Sequence, residues 1–244
     1  LIGAMHSIRS VVINSEKTAN SGGSSATAAT YSASNTENSS CGGSVSYSVS
    51  YDDVSGDFSG SFTFSNYVEC TDNSKMNGSM TVSGTLDVNT FEMPTMTATF
   101  SALTYTDDSE SMTMTGDMDF VTLSASSFKA TMNMDFRDEN TGETYRVVDY
   151  IAIATDYTTY EEVDLSGKFY HPDHGYVTLT TTTILTINSG DENPTSGVVE
   201  LLGAGGSKVV ATMLTNDTFE LKVYPDGTTL DATLNCTWST NTCI

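Results

Sequence analysis

The densest set of potential metal ligands is His171-Pro172-Asp173-His174, which places two imidazoles and a carboxylate within four residues. Imidazole nitrogen and carboxylate oxygen are ligands that zinc and related metals accept. The same residues also read as a turn, because Pro, Asp and the following Gly175 are turn formers and tyrosines flank the segment on both sides. We interpret the segment as a turn between two strands rather than as a metal site.

Three acidic loops supply the hard oxygen ligands that Ca²⁺ prefers. They are Asp107-Asp108-Glu110, Asp138-Glu139 with Glu143, and Asp191-Glu192. None has the spaced carboxylates and the glycine of an EF-hand loop, and short acidic loops are also ordinary solvated turns. The sequence therefore predicts no cofactor and leaves weak Ca²⁺ binding as an open alternative.

Catalytic motifs are absent from the sequence. The G-x-S-x-G signature of a serine nucleophile does not occur, and the chain has only three histidines. A triad or a carboxylate pair assembled from distant residues would leave no local signature. The single tryptophan, Trp238, and the scattered tyrosines give little sign of an aromatic platform for sugars. We predict that the protein is not an enzyme.

Alternating polarity predicts the elements on which these residues lie. Between Gly78 and Phe136 every second residue is apolar over four segments, and the residues between are mostly Thr, Ser, Asp or Asn. A period of two is typical of β-strands with one buried and one solvated face. Most of the methionines in these segments occupy the apolar positions, so we interpret them as core residues rather than metal ligands.

The alternation continues nearly to the C terminus and is interrupted by short loops rich in Gly, Asn, Asp and Pro. Short connections join antiparallel neighbours. We therefore predict an all-β fold in which a large antiparallel meander forms a β-sandwich or barrel. The predicted strands span residues 44–52, 57–67, 76–88, 93–105, 110–122, 127–137, 143–154, 158–170, 175–187, 196–203, 206–214, 217–224 and 228–238.

The first forty residues differ from the rest of the chain. Residues 1–17 hold a small apolar group, and residues 18–40 are of low complexity and rich in Ser, Ala, Thr, Asn and Gly. Such a composition buries little apolar surface and is typical of linkers. We predict an N-terminal arm and linker at 1–40 and a β domain at 41–244. An ordered arm is expected to pack on its own domain or on a neighbouring subunit.

The cysteines fall in two local pairs, Cys41 with Cys70 and Cys236 with Cys243. This distribution favours two local disulfides, although four cysteines allow three connectivities. Zinc is disfavoured because no C-x-x-C motif is present and no histidine lies near either pair. Disulfides persist in oxidising compartments, so we predict an extracellular or outer cell-surface location.

Charge and hydropathy restrict the partners. The formal net charge of the 244 residues is −22, which repels phosphate backbones and disfavours nucleic acid as a partner. No run of about twenty apolar residues occurs, so no transmembrane segment is predicted. The chain begins at Leu1 without a signal sequence, and we interpret it as a processed product whose export signal has been removed.

Six segments within residues 41–231 carry a resemblance to a known group of proteins: 41–44, 132–134, 167–177, 194–197, 202–208 and 226–227. In these segments the chain resembles uncharacterised secreted proteins of Geobacter-like and related bacteria. The shared residues are turn and strand residues, so the resemblance implies export and a β-rich fold and implies no activity. Members often carry an acidic Asp-x-Asp-Gly-Asp loop near the end, where this sequence has only Tyr224-Pro225-Asp226-Gly227.

We therefore predict a non-enzymatic structural protein of the cell surface, a pilus-like filament subunit that forms a homo-oligomer or homopolymer. Its N-terminal arm is expected to add a strand to an open sheet edge of a neighbour. Head-to-tail contacts of this kind form fibres. The anchoring residues of the arm are expected to be Ile8, Val11, Val12 and Ile13. The alternative is an envelope module that binds Ca²⁺ or glycans.

Overall fold

The computed structural model describes residues 30–70, 73–87, 90, 92–107, 110–240 and 242–243. The regular elements of this part of the chain are all β-strands. They lie in one sheet in chain order, and each is hydrogen-bonded to the next. The predicted all-β antiparallel meander is confirmed. The strands are β1 (Thr30–Asn38), β2 (Ser44–Asp52), β3 (Asp57–Val68), β4 (Lys75–Thr85), β5 (Thr95–Thr106), β6 (Ser111–Ser124), β7 (Ser127–Asp138), β8 (Thr144–Asp156), β9 (Tyr160–His171), β10 (Gly175–Asn188), β11 (Ser196–Gly203), β12 (Lys208–Met213), β13 (Thr218–Tyr224), β14 (Ala232–Thr237) and β15 (Thr242–Cys243).

Two of these strands were not expected from the sequence. β1 lies inside the segment predicted to be a linker, and it forms a strand because it pairs with β2 along its full length, from Thr30 opposite Asp52 to Asn38 opposite Ser44. Backbone hydrogen bonds to a neighbour stabilise a strand whose own side chains bury little apolar surface. β15 pairs with β14 over two residues and is too short to show a periodic pattern.

The described part of the chain divides into two compact units. The division into an arm at 1–40 and a β domain at 41–244 stays a prediction. Unit 1 contains the described residues up to Phe120 together with Phe136–Glu143, and unit 2 contains Val121–Asp135 with the described residues from Thr144 onward. The boundary passes through β6 and β7.

The core of unit 1 is formed by one face of its strands, which carries every second residue, as the sequence pattern predicts. Phe62 at the centre of β3 is only 2 % exposed, and Ala98 on β5 is fully buried. Met80 and Met96 are buried on the same face, which agrees with their interpretation as core residues. The residues between them point away from the core, because successive side chains of a strand alternate between the two faces.

Unit 2 has its own apolar cluster. Its buried members are Leu185 of β10, Val199 of β11, and Ala211 and Met213 of β12. Half-buried side chains from β9, β10 and β13 pack around them: Val163, Leu165, Leu179, Phe219 and Leu221. The cluster therefore joins five consecutive strands through one face.

Bulges interrupt the ladders at particular positions. The register between β4 and β5 shifts between Asn77 and Ser79, where Ala102 has a φ of 52°. A side chain at Gly78 would place its Cβ only 2.3 Å from the carbonyl oxygen of Ala102, so glycine is required there. Such bulges bend a strand and increase its local twist.

Two disulfides close the chain near the described ends of the sheet. Cys41 is joined to Cys70 with a Cα–Cα distance of 5.5 Å, and Cys236 is joined to Cys243 with a Cα–Cα distance of 4.1 Å. These are the pairs that the sequence favoured. Among the residues that the structure describes, no helix has the length and apolar character needed to cross a membrane.

Candidate functional site

The outer edge of β1 is the first candidate site, because it presents a continuous strand edge. All nine residues of β1 pair with β2 on one side, without a register shift. On the other side no strand pairs with β1 among the described residues. Alternate backbone N–H and C=O groups along that edge can pair with an added strand.

Native sheets usually blunt such an edge with lysine, proline or a bulge. β1 contains no lysine or proline, and its single charged residue is Glu37. The edge is therefore a long and regular template for pairing with another segment.

The opposite edge of the sheet is blunted. β15 offers only Thr242 and Cys243, and the disulfide to Cys236 ties it to β14. This short strand covers only Cys236 and Thr237 of β14, so four residues of β14, at positions 232–235, have no described strand on that side. Among the strands that the structure describes, the two sheet edges are therefore not equivalent, and the β1 edge is the longer one.

Strand addition at β1 would also extend a buried face. Tyr31 lies opposite Tyr51, and Ala33 lies opposite Val49. Tyr51 and Val49 are each 5 % exposed, whereas Tyr31 and Ala33 are only half-buried. Apolar side chains of an added strand would cover the half-buried Ala33, so the edge combines ladder positions that no described strand pairs with and partly exposed apolar surface.

The predicted anchors Ile8, Val11, Val12 and Ile13 lie outside the described residues. The predicted disulfide residues Cys41, Cys70, Cys236 and Cys243 are brought together in their two pairs.

A pocket beside Trp238 is the second candidate site and lies wholly in unit 2. We call it the Trp238 pocket. It is lined by Gly190, Asp191, Glu192, Asn193, Asn216, Asp217, Trp238 and Ser239. These residues come from the loop after β10, the loop after β12 and the end of β14, which sequence spacing alone does not connect.

Hydrogen bonds fix the carboxylates of the Trp238 pocket. The side-chain amides of Asn216 and Asn188 donate to the two carboxylate oxygens of Asp191, at 3.0 and 3.2 Å. The backbone N–H of Ser239 donates to the carboxylate of Asp217 at 3.0 Å. These hydrogen bonds connect the loops to one another and fix the positions of the carboxylate oxygens of Asp191 and Asp217.

The indole of Trp238 forms the apolar side of this pocket. Its ring centroid is 4.3 Å from that of Phe219, and the side chain is 37 % exposed. A tryptophan supported on one face and exposed elsewhere, next to fixed amides and carboxylates, is an arrangement that suits a ligand with apolar C–H faces and several hydroxyls.

The histidine segment forms the predicted turn. Nδ1 of His171 accepts a hydrogen bond from the backbone N–H of Asp173 at 3.1 Å, so this nitrogen is engaged within the turn. The ring of His171 also lies 4.4 Å from His174 and 5.2 Å from Tyr145, measured between centroids. The structure thus assigns these imidazoles to packing and turn geometry.

In two of the acidic loops an aspartate, Asp107 or Asp138, accepts backbone hydrogen bonds within its own loop. Asp138 accepts hydrogen bonds from the backbone N–H groups of Asn140 and Thr141, at 2.7 and 3.2 Å. These bonds lower the pKa of Asp138 below its ordinary value. In the described part of the chain, no group of three or more His, Cys, Asp or Glu side chains is arranged to hold a metal ion.

Comparison of the chain with known protein families, with curated protein sequences and with solved structures found no match. The resemblance to secreted proteins of Geobacter-like bacteria therefore stays a prediction.

Proposed function

We propose that this protein is a non-enzymatic structural protein of the cell exterior that assembles with copies of itself by strand addition at the β1 edge. The observation that supports the proposal is the asymmetry of the described sheet, which ends in the regular nine-residue strand β1 on one side and in the shorter strands β14 and β15 on the other. Because the two edges differ, we expect the β1 edge of one copy to contact a different segment of its neighbour rather than an identical edge.

The proposed donor is the segment of a neighbouring copy that precedes β1. It contains Ile8, Val11, Val12 and Ile13, whose side chains would cover Tyr31 and Ala33 of the acceptor. Backbone hydrogen bonds supply affinity in strand addition, and alternate side chains supply the register. Because donor and acceptor are different surfaces, the contact is head-to-tail, and it leads to an open filament when the rotation between copies does not close a ring.

Two disulfides and a strongly acidic composition support an external location. A net charge of −22 opposes nonspecific contact between copies through self-repulsion. A specific backbone contact at one edge is a way for such a chain to associate despite that repulsion.

The test compares the intact chain with two variants by light scattering and electron microscopy over a range of concentrations. Removal of residues 1–20 deletes the donor, and Ala33→Lys places a charge on the uncovered apolar surface of the acceptor. We expect both changes to abolish assembly and to leave the thermal unfolding of the remaining chain cooperative.

The matched control is Val54→Lys, since Val54 lies in the turn between β2 and β3 and is 72 % exposed. This variant is expected to assemble like the intact chain. The proposal is wrong if the intact chain stays monomeric at all concentrations, or if the shortened chain assembles equally well.

The Trp238 pocket favours a second function, and we propose that it binds a neutral glycan on the cell envelope. Sugar rings stack on aromatic faces through their C–H groups, and their hydroxyls pair with fixed amides and carboxylates such as Asn216 and Asp217. Trp238 is the only tryptophan, so tryptophan emission, excited at a wavelength that the twelve tyrosines do not absorb, reports on this pocket.

Titration of the intact chain with cellohexaose, chitohexaose and maltohexaose tests this second function. We expect a saturable change in tryptophan emission with at least one sugar. Since Trp238→Ala removes the reporter, calorimetry is used to show that binding is lost in this variant and retained in Tyr157→Ala, which removes an exposed tyrosine elsewhere in unit 2. Absence of saturable binding to all three sugars would remove the support for this function.

A further inference from the structure

The solvent face of unit 1 carries a regular field of hydroxyl groups, which we call the hydroxyl face. Each of the five strands β1 to β5 contributes three alternate residues, and the pairing registers align them in three rows across the sheet. The rows are Thr36, Ser46, Thr63, Ser79 and Ser101; Ser34, Ser48, Ser61, Thr81 and Thr99; and Ser32, Ser50, Ser59, Ser83 and Thr97.

The hydroxyl face is uniform in chemistry. Every one of its positions is Ser or Thr, in a chain with 31 acidic residues and 9 basic ones. Charged residues begin only at its borders, at Asp52 and Asp57 on one side and at Asp117 and Asp119 of β6. By contrast, strands of unit 2 carry charged side chains: Lys208 of β12 and Lys222 of β13 are half-buried.

The field is also regular in geometry. The registers of β1 with β2 and of β2 with β3 contain no shift, and those of β3 with β4 and of β4 with β5 shift only beyond Phe64 and Ser79. Within the field, neighbouring strands are about 4.8 Å apart and alternate residues of one strand are about 6.8 Å apart. The registers therefore arrange the hydroxyls in two directions with these approximate spacings.

Hydrogen bonds between side chains hold several of these hydroxyls in place. Thr36 and Ser46 share a bond of 2.8 Å, and Ser50 and Ser59 share one of 2.9 Å. At the β6 border, Thr97 donates to Asp119 at 2.6 Å and Thr99 donates to Asp117 at 2.6 Å. A hydroxyl has one donor and two acceptor positions, so a hydroxyl held by one such bond still has capacity to bind water.

We infer that the hydroxyl face binds ice. Water oxygens in the planes of ice repeat at distances close to those between the hydroxyls, so water bound on this face is placed in an ice-like arrangement. Five of the fifteen positions are threonine, whose stiff χ1 fixes the position of the hydroxyl oxygen and which adds a methyl group. Charged side chains would impose their own hydration shells, and the three rows contain none. This inference is independent of assembly and of the Trp238 pocket.

The experiment measures ice recrystallisation inhibition and thermal hysteresis with the intact chain. Thr81→Lys and Ser61→Lys place a charge in the middle row, at exposed positions. The matched control is Thr180→Lys, at an exposed position of β10 in unit 2. We expect the intact chain and the control to inhibit recrystallisation and the two middle-row variants to lose the inhibition. Thermal unfolding shows that all variants are folded.

Two results of the ice assays would overturn the inference, and a polysaccharide-binding result would do so as well. One is that the intact chain has no more effect on ice than serum albumin at equal concentration. The other is that Thr180→Lys loses the effect as fully as Thr81→Lys does, which would mean that the hydroxyl face is not the site. If the intact chain instead binds insoluble cellulose or chitin and the middle-row variants do not, the face is a polysaccharide site and not an ice site.

Discussion

The side-chain oxygen of Asn133 on β7 accepts a hydrogen bond from the backbone N–H of Asp149 on β8, at 2.8 Å. Asp149 has a φ of 49°, and the register between β8 and β9 shifts at this point, between Val148 and Ile151. A bulged residue leaves the regular ladder. Asn133 therefore supplies the hydrogen bond that the ladder does not give to Asp149.

We expect Asn133→Ala to lower the free energy of unfolding by about 0.5–1.5 kcal/mol, because it removes this acceptor. Asp149→Gly is expected to leave the free energy of unfolding unchanged or to raise it, since glycine adopts a positive φ without steric cost. Urea unfolding followed by circular dichroism measures both. Equal losses in the two variants would contradict the role assigned to this contact.

Gly167 on β9 faces the same bulge. Its φ is +146°, and a Cβ added there would lie 2.6 Å from the Cα of Tyr150. We expect Gly167→Ala to lower the free energy of unfolding by about 2–4 kcal/mol, because backbone atoms must move. The control is Gly205→Ala, where an added Cβ would meet nothing within 4 Å, and its unfolding midpoint in urea is expected to match that of the unchanged chain.

The two disulfides are expected to differ in their contribution. Cys41 and Cys70 are 29 residues apart, and Cys236 and Cys243 are 7 apart. If the main effect is loss of entropy in the unfolded chain, replacing the first pair by serine costs about 3–4 kcal/mol and the second pair about 2–3 kcal/mol. Cys236 is only 1 % exposed, so its replacement carries an additional packing cost.

Thermal unfolding of each double variant, with and without reductant, measures these contributions. Reductant is expected to lower the melting temperature of the unchanged chain and to have a smaller effect on each double variant. A melting temperature that is insensitive to reductant in the unchanged chain would contradict the prediction.

Asp226 connects stability to pH. Its carboxylate accepts hydrogen bonds from the backbone N–H groups of Thr229 and Thr228, at 2.6 and 2.9 Å, and these bonds hold its pKa far below the ordinary value. The folded state therefore favours the charged form. This contribution is fully present above the pKa of the unfolded chain and is lost as the pH falls towards the lower folded pKa.

The comparison that isolates this contribution is with Asp226→Asn, by urea unfolding at a series of pH values. The unchanged chain is expected to be more stable than the variant at neutral pH, and the difference is expected to shrink between about pH 5 and pH 2. Asp52 and Asp138 are present in both proteins, so their titration cancels. A difference that stays constant with pH would exclude this explanation.

Most strands could be predicted because the alternation of apolar and polar residues, as around Met80 and Met96, is visible in a short stretch of sequence. β1 could not, because its Ser, Ala and Asn residues carry a weak pattern and its pairing with β2 stabilises it. The Trp238 pocket depends on three loops that only strand pairing brings together. The hydroxyl face depends on the register of five strands, which single-strand periodicity does not contain.

The sequential order of the strands has a mechanical consequence. Each strand is paired with its neighbours in the chain. Tension applied to the two chain ends therefore breaks the ladder hydrogen bonds of one hairpin after another. This needs less force than shearing long strands past one another. The disulfide between Cys41 and Cys70 removes the residues between them from the line of tension. The bond between Cys236 and Cys243 does the same at the other end. Under load the sheet would therefore lengthen in small steps, which come from β1 and from the chain between Cys70 and Cys236.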